Sequence, residues 1–298
     1  MKNYAYYSKI SLKTKILNEI RKFFIAGKLE KFLVKRILRS KDPSPWLKVI
    51  PPEYLYPQDS WRTYERDGIK LRLNISNVVD HLKYFSFKDE GFENFRKKIQ
   101  DSFTILDIGG NIGVTCIEFA KVTPKGKVIV FEPSLSNFKR LRENIGLNKF
   151  ENIISVNMGI GDNPGQFNLY NVVNSNPGMK RILEIEDVSD FESESIIIDT
   201  LDNQLNQLNI QEVNAIKIDV EGFEFKVLQS ATFILKKHHP ILFIELDDSN
   251  LKGQKSSAIE LVSFLKELNY VIFNAQEINT PLSSDFNFSN CHFDIICE

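Results

Sequence analysis

The sequence predicts an α/β, Rossmann-like fold with a mostly parallel sheet, preceded by a basic helical extension. Beyond residue 103, apolar segments of strand length alternate with amphipathic segments of helix length, which is the pattern of parallel βαβ units. The first of these strands runs into a glycine-rich turn at residues 109–113, and the second ends at an acidic residue, Glu132. This combination is typical of a ligand site at the carboxyl ends of a doubly wound sheet.

The composition is that of an ordinary globular protein, with 42% hydrophobic and 26% charged residues in a chain of 298. No run of 18 or more apolar residues could span a bilayer, and the N-terminal segment lacks the apolar block of a signal peptide. We therefore expect a cytoplasmic protein. The three cysteines lack metal-ligand spacing, and their odd number argues against a disulfide framework.

Charge is distributed unevenly along the chain. Residues 1–41 contain 12 Lys and Arg against 2 Asp and Glu, whereas the remainder contains 26 basic and 37 acidic residues. The acidic remainder disfavours a nucleic acid as the partner. Apolar residues recur every three or four positions through residues 10–39, which predicts a basic amphipathic helix. This helix could lie on an anionic membrane, dock a partner or a second copy, or pack on its own domain with a solvated basic face.

Five prolines between residues 42 and 60 indicate a linker. The predicted division is therefore a helical extension with its linker, residues 1–60, and a main domain, residues 61–298. At the start of that domain, Ile69, Leu71 and Leu73 alternate with polar residues, and Asp67-Gly68 supplies a hairpin turn.

The alternating segments define the remaining elements. A polar excursion, residues 171–194, is predicted to be a lid or substrate loop. The predicted strands cover residues 103–108, 127–131, 153–158, 166–170, 195–198, 215–220, 241–246, 270–274 and 292–297. The predicted helices cover residues 89–99, 112–121, 135–147, 223–237 and 256–268.

The turn after the first strand, Asp107-Ile108-Gly109-Gly110-Asn111-Ile112-Gly113, suits a ligand with a carboxylate. Its glycines let the backbone approach a ligand closely, and the following helix offers free N–H groups. A nicotinamide dinucleotide loop would need glycines also at positions 111 and 114, which hold Asn and Val. That class of cofactor is therefore disfavoured.

Three acidic residues close strands at the same edge of the sheet. Glu132 stands 23 residues after Gly109, close to the spacing expected for a carboxylate that accepts both hydroxyls of a ribose. Asp219 follows the fourth main strand, beside the point where the strand order reverses, and Glu245 ends the fifth. Asp219 could instead cap the next helix.

At these residues the sequence resembles the FkbM family of methyltransferases, from about Gly68 to Leu246. The matching segments are ILDIGGNIG at 105–113, FEPSLSNFKRLRENIGLN at 131–148, TLDNQL at 200–205 and IKIDVEGFEFKVL at 216–228. Gly110 stands where the family usually has Ala, a change expected to be sterically harmless. The resemblance implies a class I methyltransferase fold with a seven-stranded sheet whose last strand is antiparallel, and an entrance hairpin.

The resemblance also implies S-adenosylmethionine as methyl donor and a hydroxyl oxygen, often of a sugar or glycan, as acceptor. Carried over by position, the first-strand loop should hold the methionine part, Glu132 the ribose, and residues 161–162 the adenine, whereas Asp219 and Glu90 should line the transfer site. The residues implied at the donor site are Glu90, Asp107, Gly109, Asn111, Gly113, Glu132, Gly161, Asp162 and Asp219.

Two arrangements could activate the acceptor hydroxyl. Asp219, as a buried carboxylate with the negative charge of Glu245 beside it, could act as a general base without a metal, which we favour because no third ligand is evident. Alternatively Asp219 and Glu245, with Asp247, could hold a divalent cation. Other acceptors, a non-sugar secondary metabolite or a lipid, remain alternatives, as does a catalytically silent binding scaffold.

Overall fold

A computed structural model of the chain describes residues 11–25, 27–40, 42–87, 89–171, 180–182, 192–283 and 285–298. Most of the predicted lid, residues 172–179 and 183–191, lies outside the described residues. The chain divides into two compact units, of which the first covers the described residues up to 87 and the second covers those from 89 onward. Within the described ranges, no helix is both long enough and apolar enough to cross a membrane.

The first unit combines short helices with the predicted hairpin. Asp67 and Gly68 both have positive φ, as a two-residue hairpin turn requires, and the two strands pair antiparallel through Arg66 and Ile69. The hairpin thus lies in the first unit, while the domain boundary at residue 60 stays a prediction. The elements are α1 (Leu12–Arg21), α2 (Gly27–Arg39), α3 (Ser44–Leu47), β1 (Trp61–Arg66), β2 (Ile69–Asn74) and α4 (Val78–Tyr84).

The second unit is an α/β domain. Its strands are β3 (Thr104–Ile108), β4 (Lys127–Phe131), β5 (Ile153–Val156), β6 (Gly159–Ile160), β7 (Gly165–Asn171), β8 (Lys180–Ile182), β9 (Ser193–Asp199), β10 (Ala215–Ile218), β11 (Ile241–Asp247), β12 (Ile272–Asn274), β13 (Glu277–Pro281) and β14 (His292–Cys297). Its helices are α5 (Glu90–Arg96), α6 (Val114–Val122), α7 (Leu135–Gly146), α8 (Leu201–Gln207), α9 (Glu224–Ser230), α10 (Thr232–His238), α11 (Asp248–Gly253) and α12 (Ala258–Glu267).

The main sheet has the order β13-β12-β14-β11-β10-β3-β4-β5. Neighbours from β11 to β5 are parallel, and β14 runs antiparallel to both β11 and β12. This confirms the predicted class I methyltransferase fold, with one addition: β13 extends the edge as an eighth strand. β3, β4 and β10 are buried almost throughout because helices cover both faces of a parallel sheet. Their carboxyl ends open on the switch point between β3 and β10.

A second sheet, with the order β6-β9-β7-β8, lies in the same unit. The predicted strands 166–170 and 195–198 are confirmed as the antiparallel pair β7 and β9. The predicted helix 223–237 was wrong in one respect, because it is two helices. Ser230 Oγ donates to Val227 O (2.7 Å) and accepts from Leu201 N (3.2 Å), and Ala231 leaves the helical region with ψ of 11°.

Candidate active site

The loop between β3 and α6 approaches the loop after β10 too closely for any side chain at Gly109. Gly109 has φ of +85°, and a Cβ there would stand 1.9 Å from Asp219 O. Gly113 also has positive φ and caps α6, whose first N–H groups face the carboxyl edge of the sheet. The predicted glycine turn is therefore present. At Gly109 and Gly113 only backbone atoms, and no side chain, can face a ligand.

Gly110 packs closely against the neighbouring strand. A Cβ at this position would stand 2.1 Å from Val130 Cγ2, so the alanine that the family usually has would need Val130 to shift. The sequence could not reveal this conflict because it depends on the neighbouring strand.

Gly110→Ala is expected to lower the free energy of unfolding by about 1–3 kcal/mol, since an overpacked core must shift to make room. Urea unfolding would measure this change. Adding Val130→Ala should recover part of the loss, and Gly146→Ala, where a Cβ meets nothing within 4 Å, is the matched control. Equal stabilities of Gly110→Ala and Gly146→Ala would contradict the steric argument.

Glu132 joins two loops at the end of β4. It is 5% exposed; its Oε2 accepts the Asn111 N–H (2.8 Å) and its Oε1 accepts the Ser134 N–H (3.0 Å). Asn111 reaches this position with φ of 47°. Burial raises the pKa of Glu132 to about 7, although the two N–H groups act to lower it. Each carboxylate oxygen keeps further acceptor capacity, so a ribose diol fits this carboxylate.

Gly161 and Asp162 follow β6. The Gly161 N–H donates to Asp199 O (3.1 Å), and a Cβ at Gly161 would stand 3.0 Å from Ile198 Cγ2. Asp162 is exposed and accepts from Asn163 Nδ2 (2.9 Å). Their assignment to the adenine stays a prediction.

A buried lysine, Lys217, is a site residue that the sequence analysis missed. Its Nζ donates to Gly109 O (3.1 Å) and lies 3.1 Å from Asp219 Oδ2 and 3.6 Å from Asp107 Oδ1. Burial alone would lower the pKa of Lys217, but the charges of Asp219 and Asp107 raise it above its usual value. Thr115 Oγ1 donates to the other oxygen of Asp107 (2.5 Å). The Lys217 ammonium thus connects the Gly109 loop with the carboxylates of Asp107 and Asp219.

Asp219 lies just beyond β10, and its side chain is 47% exposed. Its N–H donates to Ile108 O (3.1 Å), which fixes its backbone to the end of β3. A buried base was expected here. Instead the carboxylate is half exposed and lies beside the Lys217 ammonium.

Glu245, two residues before the end of β11, has a strongly raised pKa. Burial and then the charges of Asp219 and Glu221 raise its pKa to about 9, and its buried Oε2 has no hydrogen-bond partner among the residues that the structure describes. The shift favours the protonated carboxyl, which can donate a hydrogen bond. Across the strand pair, burial raises the pKa of Asp294 to about 7.

Glu221, two residues after Asp219, supplies the third carboxylate that sequence analysis did not identify. Carboxylate oxygens of Asp219, Glu221 and Glu245 all lie within 4.8 Å of one another. Asp247, the third ligand considered from sequence, is engaged elsewhere: it caps α11 through Asn250 N (2.9 Å) and contacts His292 Nδ1 (2.9 Å).

The short strand β8 contacts three loops at the carboxyl edge. Lys180 Nζ donates to Ser134 Oγ (2.7 Å), in the loop after β4. Arg181 pairs with Glu221 Oε2 (2.9 Å), in the loop after β10. The Ile182 carbonyl accepts from Gln254 Nε2, at the end of α11. This strand therefore ties the loop that holds Glu132 to the loop that holds Asp219.

Glu90, the other residue implied by the family, is exposed in the first turn of α5. The preceding Asp89 caps this helix by accepting from Phe92 N (2.9 Å). A role for Glu90 at the transfer site stays a prediction.

Known proteins resemble this chain in sequence or in fold. Methyltransferase 1 of Beauveria bassiana is 27% identical over 146 residues, which cover 43% of this chain and 58% of that protein. The crystal structure of Methyltransferase FkbM from Methylobacillus flagellatus KT has 16% identity and a TM-score of 0.46, covering 90% of this chain and 57% of that one. Fibrillarin of Aeropyrum pernix, solved with natively bound S-adenosyl-L-methionine, has 12% identity and a TM-score of 0.40, covering 67% of each chain. This chain thus spans less than two thirds of the length of the first two.

A family model provides the assignment. The model of the methyltransferase FkbM domain matches residues 107–272, from the Asp107 strand end to β12. The match contains both loops that meet at Gly109 and Asp219, together with Glu132 and Glu245. Because it covers more than half of the 298 residues, the chain belongs to the FkbM family of methyltransferases.

Proposed function

We propose that this protein is an S-adenosylmethionine-dependent O-methyltransferase that acts, in the cytoplasm, on a hydroxyl of a sugar or glycan. The observation that carries the proposal is the contact between the Gly109 loop and Asp219. It brings a loop suited to the donor's methionine part next to a carboxylate that is open to an acceptor. The sugar class rests on the family resemblance.

The donor site is formed by the carboxyl ends of β3 and β4. Backbone N–H groups at the start of α6 would receive the donor's carboxylate, and Glu132 would accept the ribose hydroxyls. Lys217 holds the Gly109 carbonyl and therefore fixes the loop between them. When bound, S-adenosylmethionine supplies an electrophilic methyl group, and the electrons of the broken C–S bond remain on sulfur.

At the acceptor side, Asp219 takes the hydroxyl proton as the new O–C bond forms. Holding the oxygen in line with the methyl group provides most of the rate, because positioning replaces a bimolecular encounter. Protonated Glu245 can donate a hydrogen bond within this site and so orient the acceptor.

A divalent cation is the alternative to a general base. The three carboxylates of Asp219, Glu221 and Glu245 could ligate one, since oxygen ligands suit Mg²⁺ and Ca²⁺. However, Lys217 and Arg181 already place positive charges beside two of them. This arrangement favours the metal-free version.

Turnover is therefore expected to persist after EDTA treatment and gel filtration. Initial rates with the purified enzyme, before and after chelation and after Mg²⁺ or Mn²⁺ is returned, would measure this. If chelation abolished activity and only the returned metal restored it, a metal site rather than a general base would activate the acceptor hydroxyl.

The acceptor class requires a direct screen. Nucleotide sugars and free glycans would be incubated with the enzyme and a deuterated methyl donor, in parallel with hydroxylated small metabolites and lipids, and labelled products would be identified by mass spectrometry. Labelling confined to the metabolites or lipids would support that alternative. If calorimetry detected no donor binding, the silent scaffold would be the remaining function.

A further inference from the structure

Helix α1 of the first unit presents its apolar side outward. Leu12, Ile16 and Ile20 are 74%, 60% and 50% exposed, and Phe23, in the turn that follows, is 73% exposed. At 3.6 residues per turn the three helical positions fall within about 80° of one another, so they form one stripe. Soluble surfaces rarely leave such a stripe in water without a use for it.

The opposite side of α1 holds the helix to its own unit by polar contacts. Asn18 is buried, and its Nδ2 donates to Tyr54 Oη (3.1 Å). Arg21 donates to Lys48 O from both Nε (3.0 Å) and Nη2 (2.7 Å). The polar side of α1 therefore faces its own unit and its apolar side is exposed, which is the reverse of a helix packed on a core. This orientation disfavours the interpretation that its apolar side packs on its own domain.

Helix α2 continues the same kind of surface. Its inner side is buried through Leu33, Val34 and Ile37, and Glu30 forms a buried ion pair with Arg62 (2.7 Å). Its outer side exposes apolar residues among basic ones, with no acidic residue between them. The exposed residues of that side are Lys28, Leu29, Lys31, Phe32, Lys35, Arg36, Leu38 and Arg39.

Lysines border the apolar stripe of α1. Lys13 lies on one side of it, and Lys15 and Lys22 lie on the other, all of them exposed. Residues 11–40 contain nine Lys and Arg and two acidic residues, of which Glu30 is buried and Glu19 is exposed and pairs with Lys22 (2.6 Å). Such a face attracts anionic phosphates while its apolar centre enters the acyl boundary, and long lysine side chains can reach the headgroups.

We propose that α1 and the outer side of α2 form a peripheral binding surface for an anionic lipid bilayer. Charge complementarity selects this occupant. A second copy docking the same face would bring two strongly basic surfaces together, whereas an anionic leaflet attracts each Lys or Arg near it. The proposed transferase activity is independent of this contact.

The test uses the full-length protein and sedimentation with vesicles. The vesicles are phosphatidylcholine alone, or phosphatidylcholine and phosphatidylserine in a three-to-one ratio. Binding is expected only to the anionic vesicles, and should weaken as salt is raised. Ile16→Glu with Phe23→Glu should reduce the partition coefficient at least about tenfold, because two apolar side chains are lost from the membrane side. Lys13→Gln and Lys15→Gln should each reduce it about fivefold.

Matched controls come from the second unit. Phe233→Glu and Ile259→Glu change side chains that are 58% and 55% exposed, and Lys121→Gln and Lys266→Gln remove exposed charges. These four substitutions should leave vesicle binding unchanged, and none of the eight should change donor affinity. All substituted positions are exposed, so circular dichroism should show a folded protein throughout.

Three results would overturn the proposal. The first is equal binding, or none, to neutral and anionic vesicles. The second is anionic binding that Ile16→Glu with Phe23→Glu leaves intact. The third is a dimer in sedimentation velocity that the same double substitution converts to a monomer while vesicles remain unbound, which would assign the surface to self-association.

Discussion

Asp219→Asn is expected to lower kcat by about 10²–10⁴-fold while leaving the donor's dissociation constant within about threefold of the wild-type value. The asparagine amide has nearly the same shape as the carboxylate but cannot take the proton from the substrate hydroxyl. Because the Asp219 backbone is held by Ile108 O, the substitution should not move the glycine loop. Single-turnover rates and calorimetry on the same preparation would measure the two quantities.

Asp101→Asn is the matched control for this prediction. Asp101 is also a half-exposed carboxylate paired with a lysine, Lys125 at 2.6 Å, but it stands before β3, at the amino end of the strand. Its substitution should leave kcat unchanged. If Asp219→Asn turned over like the wild type, neither a general base nor a metal ligand at Asp219 would be tenable, and positioning alone would have to supply the rate.

Glu132→Ala is expected to weaken donor binding by about 2–3 kcal/mol, the scale for losing charge-assisted hydrogen bonds, which corresponds to about 30- to 150-fold in affinity. The substitution also leaves the N–H groups of Asn111 and Ser134 without their acceptor. The unfolding free energy should therefore be measured beside the affinity. Wild-type affinity in a folded Glu132→Ala protein would remove Glu132 from the donor site.

The pH dependence of donor affinity separates the contribution of the Glu132 carboxylate to binding from its contribution to stability. Because burial raises the pKa of Glu132 to about 7, the carboxyl becomes protonated as the pH falls through that value. The protonated form accepts hydrogen bonds less well, so the donor affinity of the wild type should fall as the pH is lowered from 8 to 6. Glu132→Gln cannot titrate and should lack this component.

The sequence was sufficient for those parts of the fold that depend on local pattern. Strand and helix alternation predicted the parallel sheet, and Asp67-Gly68 predicted the hairpin turn. The strand ends likewise located Asp219 and Glu132, because parallel strands bring their carboxyl ends to one edge. The edge strand β13 was not predicted because four of its five residues are exposed and it has no apolar alternation. The break at Ala231 was not predicted because the apolar residues on either side of it keep helical spacing.

Contacts between segments that are distant in the chain could not be predicted from the sequence. In the sequence Lys217 is one more residue of a predicted strand, and only the pairing of β10 with β3 brings it to Gly109 and Asp107. The steric conflict at Gly110 likewise depends on Val130 in the next strand. Glu221 was visible in sequence, but its approach to Glu245 requires the turn with positive φ after β10.

The three contacts of β8 have a thermodynamic consequence. Lys180 tethers this strand to the loop of Glu132, and Arg181 tethers it to the loop of Asp219. A ligand that orders one of these two loops reduces the conformational entropy that is still lost when a second ligand orders the other loop. Donor and acceptor binding should therefore be positively cooperative, and linkage requires each to strengthen the other's binding by the same factor.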